Sequence, residues 1–253
     1  VANTATFTAT SGAITEAEGF ALATPVLNTS AAGTTNLSSK ANQLEQVNID
    51  NAGASVAIGS ANSKNSNALQ IKTNTPIVGN LTVTNYNDGS ANVNAIKLPA
   101  QLQTGGTITL INEETAIIVD NTASINATDV AMNATEITVA GTVNATNDVS
   151  LSSDASMTIN GNVTASHDAY LTAGSALSVA GNVTANNATT LNAGSITVNG
   201  KVETTNEKTT LTSAEITVNG SVNTTIGTTT LTSASDLTLN GSGTVSGKAV
   251  NVN

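Results

Sequence analysis

From Asp129 to its last residue the chain repeats a unit of about twenty residues. Successive units read DVSLSSDASMTINGNVTA, DAYLTAGSALSVAGNVTA, ATTLNAGSITVNGKVETT, KTTLTSAEITVNGSVNTT and TTTLTSASDLTLNGSGTV. One column holds Met132, Leu151, Leu171, Leu191, Leu211, Leu231 and Val250. A second pairs Ile137 with Val139, Met157 with Ile159, Leu177 with Val179, Ile196 with Val198, Ile216 with Val218 and Leu237 with Leu239. A turn column follows at Gly141, Gly161, Gly181, Gly200, Gly220 and Gly241, each preceded by Ala or Asn. Two residues further on stand Val143, Val163, Val183, Val202 and Val222.

Within a unit, apolar residues alternate with Thr, Ser and Asn, as in Ile216-Thr217-Val218. This period of two belongs to a strand with one buried face. Each run is short, so a single unit holds two or three strands and cannot enclose its own apolar side. Stacking solves this, because Leu211 then sits between Leu191 and Leu231 in a continuous internal column. The expected fold is all-β: a parallel β-helix, or solenoid, with ~20-residue rungs at roughly 4.8 Å spacing. Right-handed coiling follows from the general preference of parallel crossovers. The Leu-to-Ile gap varies between five residues (Leu191 to Ile196) and six (Leu151 to Met157), a slip that a corner can absorb. Asn-Gly is also a hairpin signal. Its recurrence once per unit, without strand symmetry around it, reads instead as a corner requiring a left-handed residue at Gly161, Gly181, Gly200, Gly220 and Gly241.

Residues 1–100 are read as a less regular, β-rich N-terminal cap or assembly region, and residues 101–253 as the repeat proper. VANTATFTAT, beginning at Val1, alternates like a strand, and short strand candidates follow at Val47–Ile49, Val56–Ile58, Leu69–Ile71, Leu81–Val83 and Ile108–Leu110. Their spacing does not fix whole rungs. The segment reads as an irregular start of the same helix that covers the first rung; the alternative is a strand donated to a neighbouring subunit. Recognisable rungs begin near Ala116, and Val250 and Val252 end the sequence in mid-rung. The first residues show neither a basic n-region nor an apolar h-region, and no stretch reads as a transmembrane segment.

The formal charge is −10, aromatics make up 2 %, Cys and Trp are absent, and the seven basic residues are all Lys. An Arg-free acidic surface is poorly suited to polyuronates, nucleic acid or anionic membrane. His167, the single histidine, lies beside Asp168 and Tyr170, with no second His or Cys to join it, and reads as a solvated turn residue. The other carboxylates weighed are Glu113, Glu114, Asp120, Asp129, Asp148 and Asp168. Asp129, Asp148 and Asp168 precede the Met/Leu column by three residues and would form a short acidic ladder, able in principle to hold Ca²⁺ but read as solvated. Later rungs carry Ala188, Lys208 and Thr228 there. No catalytic, cofactor-binding or metal residues are assigned, and no cofactor is expected. The Thr clusters Thr209/Thr210/Thr212 and Thr228/Thr229/Thr230 suggest a polar array of the kind that binds ice, interrupted in earlier rungs by Asp148, Val149, Asp168 and Ala169. Asn-x-Ser/Thr at Asn126, Asn133, Asn144, Asn162, Asn182, Asn187 and Asn223 would accept glycans on a secreted protein, but also follows from the composition.

The LTAGSALSVAGNVTA and LTSAEITVNGSVNTT units resemble the β-helical repeats of filamentous-haemagglutinin-like adhesins, which Gram-negative bacteria secrete by two-partner or autotransporter routes. The resemblance runs from about Ala116 to Asn253. The Asn-Pro-Asn signatures of that family's secretion domain are missing, the prolines being Pro25, Pro76 and Pro99, and there is no outer-membrane barrel pattern. The family's repeats act as a shaft, so no functional residue is carried over. The resemblance implies a non-enzymatic, extracellular structural protein of a bacterial cell surface. Its expected partners are other copies of itself or other surface proteins, with host or matrix glycans a further option and nucleic acid and membrane insertion excluded. The alternatives are a polar-face binding module for glycan or ice, and a surface-layer lattice protein.

The structural core expected from the repeat consists of Leu151, Leu171, Leu191, Leu211 and Leu231 in one column and Ile159, Val179, Val198 and Val218 in the next.

Overall fold

A computed structural model describes residues 3–50, 53–61, 67–87, 95–113 and 115–253. Val1 and Glu114 lie outside the described residues. The chain is an all-β parallel solenoid; among the described residues there is no helix, and the strands pair in parallel. It comprises two compact units, Val1–Thr135 and Glu136–Asn253.

In the second unit each rung supplies one strand to each of three ladders. The first ladder stacks Val149–Ser153, Asp168–Ala173, Ala188–Asn192 and the leading halves of Lys208–Val218 and Thr228–Leu239, then Ala249–Val252. The second stacks Glu136–Val139, Met157–Ile159, Ala176–Val179, Ser195–Val198 and the trailing halves of the same two long strands. The third stacks Thr142–Ala145, Asn162–Ala165, Asn182–Ala185, Lys201–Thr204, Ser221–Thr224 and Thr244–Ser246.

Register places like on like. Leu151, Leu171, Leu191, Leu211 and Leu231 are successive Cα partners, and the column continues to Val252, with Val250 opposite Thr229. The expectation that Val250 occupies the leucine column is therefore off by two residues: Leu231 and its partner Val252 are 21 residues apart, because residues added before and within the corner preceding Thr244 are only partly offset by a shorter turn before Ala249. All five leucines, with Ile159, Val179, Val198 and Val218, are buried. One additional residue enters between Ser233 and Asp236 relative to Ser213 and Glu215, and the ladder absorbs it as a local register shift.

Gly161, Gly181, Gly200 and Gly220 do lie at corners, between the second and third ladders. The reason for glycine there differs from the expected one. Positive φ occurs at Gly19 and Gly241 and at no non-glycine residue among those described. At the other corners the constraint is vertical: a Cβ on Gly181 would collide with the carbonyl oxygen of Gly161, and one on Gly200 with that of Gly181. Those carbonyls accept the amides of Asn182 and Lys201 at 3.0 Å, so corners stack too closely for a side chain. Each corner is also pinned by two consecutive amides on one carbonyl below, as Ala180 and Gly181 on Ile159.

The first unit uses the same stacking with rungs of unequal length. Ala5 pairs with Leu27, Leu27 with Val47 and Val47 with Ile71, while Leu81 pairs with Ile108 and Ile108 with Val130. The steps run from 20 residues (Leu27 to Val47) to 27 (Leu81 to Ile108). Loops of different length fill the corners, so no fixed period survives in the sequence although the inward columns do. Asn42, fully buried, braces one such corner: its Oδ1 accepts the Leu22 amide at 2.7 Å, and its Nδ2 reaches the carbonyls of Leu37 and Gly59.

Candidate functional site

Three features of the structure bear on function: a buried chain of hydroxyls, the outward polar columns, and a carboxylate–imidazole cluster on one corner.

The hydroxyl chain follows from the sequence change between early and late rungs. In the first ladder the inward position before the leucine column runs Val149, Ala169, Thr189, Thr209, Thr229. In the third ladder the facing position runs Ala145, Ala165, Ala185, Thr204, Thr224. Thr thus enters both columns at the same rung. The Thr209 hydroxyl donates to Thr204 at 2.8 Å, Thr204 donates to Thr189 at 2.7 Å, and Thr224 donates to Thr209 at 2.8 Å. Thr229 lies 2.8 Å from Thr224 and reaches the Ser246 carbonyl at 2.6 Å. These five side chains are buried, and each hydroxyl meets the desolvation cost of another. Thr209 and Thr229 therefore belong to the interior, contrary to their placement in an outward cluster.

The outward positions on the first ladder are instead Thr190, Thr210 and Thr230, with Asn192, Thr212 and Thr232 two residues on, all in register. On the second ladder Thr138, Thr158, Ser178, Thr197, Thr217 and Thr238 form one unbroken column. On the third, Thr142, Asn144, Asn162, Thr164, Asn182, Thr184 and Lys201 line an open polar groove of about 340 Å³. Asn182 donates to Asn162 at 2.9 Å there.

The cluster occupies the corner that precedes the first ladder. Residues one rung apart stack, and the backbone bonds from His167 to Asn147 and from Asn187 to His167 set that column. Asp148 and Asp168, each one residue further, come onto neighbouring rungs with His167 between them. His167 Nδ1 is 2.9 Å from Asp148 Oδ1 and 3.4 Å from Asp168 Oδ2. Asp148 Oδ1 also accepts the Asp168 amide at 3.0 Å. Asp168 is buried and held on both oxygens: the Tyr170 hydroxyl donates to Oδ2 at 2.8 Å, and Asn187 Nδ2 and the Ala188 amide donate to Oδ1, each at 2.9 Å.

These contacts set the protonation. The hydrogen bond to Asp148, with the charges of Asp168, Asp148 and Glu207, raises the His167 pKa above its ordinary value against a smaller opposing effect of burial. Burial pushes the Asp168 carboxyl up, but its bonds from Tyr170, Asn187 and Ala188, together with His167, leave it below the ordinary carboxylate value. The bond to Asp168, and burial, push the Tyr170 hydroxyl up.

Of the acidic ladder expected from Asp129, Asp148 and Asp168, the structure brings the last two together with His167. Asp129 instead accepts a bond from Thr107 at 3.2 Å. Asp120 pairs with Lys97 at 3.3 Å, and Glu113 accepts the Asn87 amide at 3.0 Å. His167 is thus a member of a bonded triad, which reading its immediate neighbours alone missed. The signal available in the sequence was the rung period itself, which puts Asp148 one rung below the Asp168 that adjoins His167. Comparison with protein-family models, with curated proteins and with solved structures finds no match.

Proposed function

We propose that this chain is an extracellular structural protein of a bacterial cell surface, a β-helical shaft that forms or supports an adhesive fibre. The observation that carries this reading is the stacking of Leu151, Leu171, Leu191, Leu211 and Leu231 in an unbroken register. In such an array each rung is stabilised by its neighbours, and length is added by adding rungs without redesigning a core. Short polar side chains on the outward columns suit a surface exposed along its whole length. The resemblance to shaft-forming adhesin repeats supports the same role. End-to-end association of subunits through rung stacking is the self-assembling form of the proposal, and a surface-layer lattice its two-dimensional variant.

Electron microscopy of the purified, untagged chain at increasing concentration tests assembly. Filaments or sheets with a regular axial repeat support it; isolated short particles at every concentration refute the self-assembling form. Protease shaving of intact producing cells tests location, since a chain protected until the cells are lysed would overturn the surface assignment.

A second reading, a binding face for glycan or ice, rests on the in-register pairs Thr190/Asn192, Thr210/Thr212 and Thr230/Thr232. Their polar groups, hydroxyls except at Asn192, repeat at roughly 4.8 Å between rungs and roughly 7 Å along a strand. Thermal hysteresis or glycan retention lost on replacing Thr210 and Thr230 with Lys, with the fold intact, would favour it over the shaft.

A further inference from the structure

We propose that Asp148, His167 and Asp168 bind one first-row divalent transition-metal ion of the Zn²⁺ class. The proposal stands independently of the shaft role. One ligand atom from each of the three side chains lies within 4.8 Å of the others. Donors that share such an ion at about 2.1 Å lie roughly 3.0 Å apart at a right angle and roughly 3.4 Å apart in a tetrahedron. The separations of Nδ1 from the two carboxylates, 2.9 and 3.4 Å, match these edges.

The donor set selects the ion. Ca²⁺ takes roughly six to eight oxygens, and an imidazole nitrogen between two carboxylates disfavours it. Nitrogen with carboxylate oxygen suits Zn²⁺ and its neighbours in the first transition row. The side chains of His167 and Asp148 are 54 % and 38 % exposed, which leaves the outer coordination positions to water. Beneath them the site is braced: Tyr170, Asn187 and the Ala188 amide orient Asp168 as outer-shell partners orient metal-bound carboxylates. The donor set also occurs at one step of the stack. The positions stacked above Asp168 are Ala188, Lys208 and Thr228, and those above His167 begin with Asn187 and Glu207.

Ion and proton compete for one atom. Nδ1 must give up its proton to take a metal; from the imidazolium that proton leaves to solvent, and from the Nδ1–H tautomer it leaves while Nε2 takes one up. Binding therefore replaces the hydrogen bond between His167 and Asp148 by two bonds to a shared ion.

The test uses untagged, chelator-stripped protein titrated with Zn²⁺ against a chromogenic competitor, with the His167 ring resonances followed by NMR. Expected are one ion per chain and perturbed His167 signals. His167→Gln should weaken binding by at least tenfold, and Tyr170→Phe, which removes a positioning bond, by about tenfold. His167 projects to solvent, so the first variant should keep the native circular dichroism; Asp148→Asn supplies a second, expected to weaken binding likewise. Absence of saturable binding up to about 1 mM would overturn the proposal. So would undiminished affinity in both His167→Gln and Asp148→Asn, or Ca²⁺ binding as tightly as Zn²⁺.

Discussion

The buried hydroxyl chain makes a quantitative prediction about how polar groups persist inside a stacked core. Thr209 lies at its middle, donating to Thr204 and accepting from Thr224. Thr209→Val keeps the shape and removes two bonds, each with a net value of about 1 kcal/mol. The added methyl returns about 0.8 kcal/mol of burial. Thr224 can turn its hydrogen to Thr229, 2.8 Å away, so no donor is left stranded. The single variant should therefore lose at most about 1 kcal/mol, and less to the extent that the turned Thr224 hydroxyl recovers a bond to Thr229. Thr204→Val likewise removes two bonds, its own to Thr189 and the one from Thr209, and should cost a similar amount. In the double variant the Thr204–Thr209 bond is lost once rather than twice, so the two costs should fall short of additivity by about 1 kcal/mol. The assay is urea unfolding followed by far-UV circular dichroism, since the chain has no Trp. Additivity within about 0.3 kcal/mol would show that the hydroxyls are not energetically coupled, and the reasoning would fail.

Leu191→Asp removes a fully buried side chain, worth about 2 kcal/mol, and leaves an unpaired carboxylate in the core; it should unfold the stack around it, whereas Thr210→Asp, on the outward face, should change the melting temperature little. Gly181→Ala should destabilise by several-fold more than Gly241→Ala in thermal melts, because the first drives a methyl into the Gly161 carbonyl and the second meets open space at the cost of a left-handed φ alone; equal effects would refute the close-stacking explanation of the corners. In chelator-treated protein, NMR titration should place His167 above 6.5, and Asp148→Asn should move it down. With its folded pKa raised, His167 contributes stability in full below pH 6.5, and that contribution disappears as pH rises through the folded value. Stability that increased over that range through this group would contradict the assigned bond.

Fold class was legible because one periodicity carried it. Leu at every twentieth residue from Leu151 to Leu231 has no explanation in a compact sheet and an immediate one in a stack. The same signal fails before Ala116 for a physical reason. A solenoid fixes the residues that face inward and leaves corner length free, so Val47 and Ile71 stay partners across 24 residues and Leu81 and Ile108 across 27. Such corners erase the period while preserving the column. The glycine corners were placed correctly from sequence, but four of them were explained by the wrong constraint; Gly241, with its positive φ, is the left-handed corner expected. A left-handed turn and a crowded one select the same residue, and only the carbonyl of the rung below distinguishes them.

The site was harder to see because its information lies across rungs. Asp148 and His167 are 19 residues apart, a separation without meaning until the rung period is applied to side chains as well as to the core. Applied that way, the period makes a general demand on outward and inward columns alike: a polar or charged residue must be compatible with whatever stands one turn before and after it. Thr189 and Thr204 enter the interior together and satisfy one another. Two stacked aspartates repel, and the imidazole between Asp148 and Asp168 supplies the compensating charge when protonated, as a divalent ion would when it is not. A corner with that donor set is therefore poised between two occupants, proton and metal, and the stack that holds it need not move for either.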